Sequence, residues 1–218
     1  EYINRFKRKA FLLGLDISGT GVRNEFVTPD AARREADVQM VGKWIRAAAK
    51  LGSPNIRIFA GKADHDGHSR DEVFEWMADA IKRCCEIGRL HGVMIALQNH
   101  NDFIMSAADI ERVFEMVDSA WLGLNLDIGS LRQGDPYAEI ERVVRHAITW
   151  QLKENVWIDG QATPTDFMRL IPILRDAGYR GYLPIETLGA GDPYTKIVAL
   201  LEKVRNSIAD TGPMEATT

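Results

Sequence analysis

The chain is poor in the features that announce a chemistry. Its two cysteines in 218 residues are neighbours, Cys84 and Cys85. Adjacent cysteines do not build a disulfide framework, and both fall in a helical pattern. No apolar run reaches the roughly 18 residues that cross a bilayer, so no membrane partner is expected. Charge of one sign is lacking too. Lys plus Arg number 27 against 31 Asp plus Glu, a net −4, which gives no general attraction to nucleic acid or anionic lipid. The glycine-containing stretch SGTGVRNE (18–25) lacks the GxGxxG spacing and enters a polar loop rather than a helix, against a dinucleotide fold. No signal peptide is visible. A reducing compartment such as the cytoplasm fits the cysteines, while a first residue Glu1 leaves secretion open.

What the chain has is alternation. Short apolar runs recur at Phe11–Ile17, Asn55–Gly61, Val93–His100, Trp121–Gly129, Ala147–Asn155 and Gly181–Gly189. Such short runs, bounded by glycine or polar residues, are what buried parallel strands look like. Amphipathic stretches separate them and read as helices. The first spans about 29–51, with Thr28 as N-cap and Pro29 as first helical residue. Others span about 70–91, 107–117 behind Ser106, and 137–144. Thr165 and Asp166 open one that ends near Ala177, and the last spans 193–208. The alternation predicts a parallel sheet with helices outside, in one domain over 1–218 with a frayed tail at 209–218.

The C-terminal edge of such a sheet is where reactive groups gather. Gln98, Asn99 and His100 end the third run, Asp127 the fourth, Gln151, Lys153 and Glu154 the fifth, and Glu186 the sixth. Singly, each has an ordinary structural explanation, as a cap, a buried amide or a solvated loop residue. Together they recur at one edge of four successive strands, where a closed barrel would make them converge. Asp127 and Glu186 also lie inside apolar runs. A buried carboxylate there needs a cation, a basic partner or a shifted pKa, and Lys153 could be that partner. The loop after the second run holds Asp64, His65, Asp66 and His68, but their spacing matches no ligand motif and reads as a polar loop or lid.

The segments VMIALQNH, LGLNLDIGS, WQLKEN and YLPIETLG resemble the fifth to eighth strand motifs of xylose isomerase-like TIM barrels. That resemblance runs from Phe11 to about Ile208. It implies a (β/α)8 barrel that is incomplete, with about six strands present, Phe11–Ile17 corresponding to the third strand and the first two preceding Glu1. In that group, Glu, Asp, His and Glu on four strands hold a divalent metal. The corresponding residues here are Gln98, Asp127, Gln151 and Glu186. Two match and two are replaced by glutamine, whose carbonyl oxygen can still ligate. An all-oxygen set favours Mn2+ or Mg2+ over Zn2+, and a metal-free site is the alternative.

The resemblance further implies a sugar isomerase or epimerase acting on a small sugar, sugar phosphate or polyol-derived ketone. With Gln98 in place of a glutamate, Glu186 is left as the single base, assisted by Lys153 on the substrate oxygen. His100, Asn99, Glu154 and Trp157 are expected to bind substrate. An inosose-type lyase or dehydratase and a non-catalytic sugar-binding barrel are the rival readings. Endonuclease IV chemistry needs more histidines than the five present, so no nucleic-acid partner is expected. A homo-oligomer remains compatible with the sequence.

Overall fold

The computed structural model describes residues 1–62 and 65–212. Its strands are β1 (Thr20–Gly21), β2 (Asn55–Phe59), β3 (Met94–Gln98), β4 (Leu122–Asp127), β5 (Ala147–Lys153), β6 (Asn155–Ile158), β7 (Gln161–Pro164) and β8 (Ile185–Glu186). Its helices are α1 (Tyr2–Leu12), α2 (Ala31–Leu51), α3 (Arg70–His91), α4 (Ala107–Val117), α5 (Pro136–Val143), α6 (Phe167–Asp176) and α7 (Pro193–Asp210). Six strands form one curled parallel sheet in the order β1-β2-β3-β4-β5-β8, with helices around it. This is a six-stranded part of a (β/α)8 barrel, as the alternation and the resemblance together implied. The segment from Pro213 onward and Asp64 lie outside the described residues.

Side chains alternate across each strand. One face, with Ile56, Ile58, Ile95, Leu97, Leu124, Leu126 and Leu152, joins a continuous core with Val41, Ile45, Met77, Ile81, Ile110 and Leu170 of the helices. The other face points into the barrel. Register pairs Phe59 with Gln98, Asp127 with Gln151 and Lys153 with Glu186, so the polar residues share that inner face. A register shift between Leu124 and Asn125 decides this arrangement. Ala147 pairs with Leu124, yet Thr149 pairs with Asn125. Without the extra residue, Trp150 would stand beside Asp127 in place of Gln151.

The structure corrects several expectations. The run Phe11–Ile17 is not a strand: Phe11 and Leu12 end α1, and the chain turns at Gly14 with φ 65°. The strand lies further on, inside the stretch read as a polar loop. There Gly21 lets the backbone approach Arg57, whose Nη2 would sit 3.0 Å from any added Cβ. The N-cap of α2 is Asp30, which accepts from the N–H of Ala32 and Arg33, so the helix starts at Ala31 and not at Pro29. Carboxylates also cap α5 (Asp135), α6 (Asp166) and α7 (Asp192). A hairpin absent from the sequence reading, β6–β7, turns at Asp159 (φ 50°) and Gly160 (φ 74°). Asp-Gly between two short strands is the signal that would have found it.

Candidate active site

Lys153 Nζ lies 2.9 Å from Asp127 Oδ2 and 3.0 Å from Glu186 Oε2. The ammonium therefore bridges two carboxylates at the C-terminal edge of β4, β5 and β8. Asp127 is fully buried and heavily bonded. Its Oδ1 accepts from the N–H of Gly129 at 3.0 Å. Its Oδ2 accepts from Gln98 Nε2 and Ser130 Oγ, both at 2.9 Å, as well as from Lys153. Gln98 is held in that orientation by Arg57, whose Nη1 donates to Gln98 Oε1 at 3.2 Å. The amides of Gln98 and Gln151 meet at 2.8 Å. An oxygen of Gln151 facing inward would confront two carboxylates. Turned round, its amide nitrogen would reach Asp127 Oδ2 at 3.2 Å and Glu186 Oε2 at 3.1 Å but would oppose the Gln98 nitrogen, so with Gln98 donating to Asp127 it is the Gln151 oxygen that accepts from Gln98.

Burial works against charge on Asp127, but His100 and Lys153 outweigh it and hold its carboxyl below the usual range. Burial also opposes the Lys153 ammonium; Asp127 and then Glu186 reverse the balance and raise it. Both groups are therefore ionised at neutral pH. Burial lowers the Arg57 guanidinium, while the Glu186 charge acts the other way. The centre is thus a set of fixed charges linked by neutral amides.

A mouth of about 370 Å³ opens over this centre, lined by Lys62, His100, Arg132, Lys153, Trp157 and Glu186 among others. The Glu186 side chain is 38% exposed, and its Oε1 has no hydrogen-bond partner among the described residues. His100 Nδ1 lies 3.0 Å from Gln98 Nε2 and 3.9 Å from Asp127 Oδ2. Of the expected substrate ligands, Glu154 and Trp157 line the mouth while also making other contacts, and Asn99 does not reach it. Asn99 is buried, with Nδ2 donating to the carbonyl of Asp127 and Oδ1 accepting from its N–H, both at 2.9 Å. Its amide faces the β4 backbone because it follows inward-facing Gln98 on the strand. Glu154 Oε2 is held by Lys196 Nζ at 3.2 Å and the N–H of Leu188 at 3.3 Å. Trp157 does line the mouth, but the Arg132 guanidinium lies 3.6 Å above its ring centroid. His65 packs edge-on against Phe103 and His68 against Trp76, so these two go to separate partners.

Sequence reasoning missed Arg57 and Arg132. Arg57 had a signal, a charged residue in the middle of the apolar run NIRIF. Arg132 had none, since a loop arginine is ordinary.

The sequence profile of the xylose isomerase-like TIM barrel matches residues 1–206. The chain belongs to that family. A search of curated protein sequences gave no match. Among solved structures, the family fold is shared with the 3-keto-D-glucoside 4-epimerase of E. coli: TM-score 0.80, 18% identity, 94% of this chain and 84% of that one. The D-psicose 3-epimerase of Clostridium cellulolyticum H10, solved with D-tagatose, gives TM-score 0.75 at 16% identity over 95% of this chain and 81% of its own. An L-ribulose 3-epimerase gives 0.74 at 19%, over 97% and 83%.

Gln98, Asp127, Gln151 and Glu186, the residues expected to hold Mn2+ or Mg2+, do converge. Their atoms do not fit a divalent cation. A carboxylate offers about two acceptor sites on each oxygen, and on Asp127 three donors crowd Oδ2, the oxygen that faces Lys153 and Gln98, with a fourth on Oδ1. The Gln98 carbonyl oxygen, its only ligating atom, is turned to Arg57.

Proposed function

We propose that the chain is a sugar isomerase or epimerase that moves a proton on the carbon next to a ketose or aldose carbonyl. The observation that carries this reading is Glu186, a carboxylate with one oxygen anchored at Lys153 and the other turned to an open mouth. A base needs a free lone pair aimed at substrate, and Oε1 has one. In the reaction, Oε1 takes the carbon-bound proton while the electron pair moves to the carbonyl oxygen. A Lys153 N–H faces the negative charge that develops there; the hydroxyl proton of the first carbon then passes to that oxygen as its electron pair forms the new carbonyl, and Glu186 returns the carbon proton to the neighbouring carbon. The His100 ring lines the mouth and is placed to bind a substrate hydroxyl. One base suffices for this enediolate route. Family members whose solved structures carry the names D-psicose, L-ribulose and 3-keto-D-glucoside epimerase support the carbohydrate class.

The test is wash-in of solvent deuterium. The chain is incubated in D2O with D-psicose, D-tagatose, D-fructose and L-ribulose, and carbon-bound deuterium is followed by NMR. Exchange is expected with at least one ketose, and Glu186→Gln should lower it by about 100-fold or more. Unchanged exchange in Glu186→Gln removes the base from the reading. A carbohydrate-binding barrel without turnover is the second reading, favoured by the crowding of donors on Asp127 Oδ2. Saturable ketose binding with no deuterium uptake would select it.

A further inference from the structure

The geometry points to a second assignment at the same centre, one that does not depend on the isomerase reading: the Lys153 ammonium occupies the position of a divalent cation and shuts metal out. It rests on three observations. First, Lys153 Nζ sits between the two carboxylates that would otherwise be the anionic ligands, at 2.9 and 3.0 Å. Second, the neutral side chain of Gln98 presents an N–H group, not its oxygen, to Asp127 at 2.9 Å. Third, Arg57 locks Gln98 the wrong way round for a metal by donating to its carbonyl oxygen. The charges agree with the geometry. Asp127 and Glu186 bring two negative charges and Lys153 returns one, with Arg57 a second cation whose charge Glu186 feels. A doubly charged ion added to this set would meet two fixed cations and the N–H end of the Gln98 amide.

The substitution has a chemical consequence. An ammonium has three N–H bonds. Two are taken by Asp127 and Glu186, and the third serves the mouth that Lys153 lines. Lys153 is then the electrophile that a substrate oxygen meets, and Arg57 is the positioning residue that keeps Gln98 a donor. Gly129 makes room for this arrangement, because a Cβ there would stand 2.8 Å from Lys153 Cδ.

The experiment needs no substrate. The wild-type chain is titrated with MnCl2, and the electron paramagnetic resonance signal of free Mn2+ is recorded. The wild type should leave that signal at its buffer value. Lys153→Met removes the ammonium, and Lys153→Gln is a second neutral variant should the first not fold. Each folded variant should take up one Mn2+ at least tenfold more tightly than the wild type, while Lys153→Arg should take none. Stoichiometric Mn2+ uptake by the wild type overturns the assignment. So does a folded neutral variant that still excludes the ion, since Lys153 would then not be what excludes it. Deuterium wash-in tests the isomerase reading separately, so either can fail alone.

Discussion

Asn99 commits both ends of its amide to the backbone of Asp127, and Asn24 does the same to Phe59, at 2.8 and 2.9 Å. Each asparagine closes a strand end against the next strand. Asn99→Ala leaves a buried N–H and a buried carbonyl without partners, which costs about 2–3 kcal/mol. A lower urea midpoint with an unchanged slope is the expected reading. Asp102 carries a pH signature. Burial pushes its carboxyl up to about 6, against backbone N–H groups of Ile104 and Gly61 and the charges of His100 and Lys62, which lower it. The folded state therefore holds a proton that the unfolded chain releases near pH 4. Its contribution is full below that pH and is lost as pH rises through about 6. Asp127, whose carboxyl is lowered, acts in the opposite sense and below that window. Denaturant midpoints at a series of pH values should lose the decline between about pH 4 and 6 in Asp102→Asn. At this scale the sequence was readable where a strand's period of two applied. Gln98, Asp127, Gln151, Lys153 and Glu186 all point inward. Asn99, next to inward Gln98, turns away to the β4 backbone, and treating a strand end as one polar cluster hides that difference.

The elements differ in how plainly the chain spells them. Buried strands β2 to β5 and the long helices are legible because burial on both faces gives continuous apolar runs, and Ser69 with Glu72 writes a capping box for α3. Ser69→Ala should lower stability by about 1 kcal/mol, seen in thermal or urea unfolding. Strand β1 is not legible, because two residues read as loop until Arg57 is known to fill the space beside Gly21. The shift between β4 and β5 is equally hidden, since register is a property of two strands at once. Gly123 sits at it: an added Cβ would fall 2.6 Å from three atoms of the Ile148 side chain. Gly123→Ala is expected to destabilise the fold by about 1–3 kcal/mol through overpacking. It should also weaken ketose binding, because the same shift aims Gln151 and Lys153 inward. Equal loss of binding and stability in Gly88→Ala, whose Cβ would meet the Val93 carbonyl at 2.4 Å far from the mouth, would show that the effect is general strain instead.

As a whole, the molecule is a sheet curled most of the way round, with two-residue strands at both edges. The Tyr182 hydroxyl donates to Asp16 Oδ2 at 2.9 Å and ties the two sides across the open part. Apolar side chains stand bare on both sides of it: Phe11 is 81% exposed and Tyr194 80%, with Leu12, Leu15 and Val198 also exposed. Unpaired edges and bare apolar surface favour association. Sedimentation velocity should show concentration-dependent self-association of this chain at micromolar protein, and Phe11→Ser with Leu15→Ser should shift it toward monomer. Five of the six sheet strands were legible from alternation, whereas β1 and the surface were not, the surface because exposure depends on what the rest of the fold covers. The hairpin β6–β7 stands apart from all this. It hydrogen-bonds as a ladder only to itself, yet it supplies Asn155, Trp157 and Ala162 to the rim of the mouth. Outside Val156, which is buried in the core, and Ile158, which packs against it, a piece that contributes so little to the sheet can vary in length and sequence at small cost to folding. Descendants of this barrel can therefore acquire new substrate preferences by redrawing that one ribbon, while the charged floor beneath it is inherited intact.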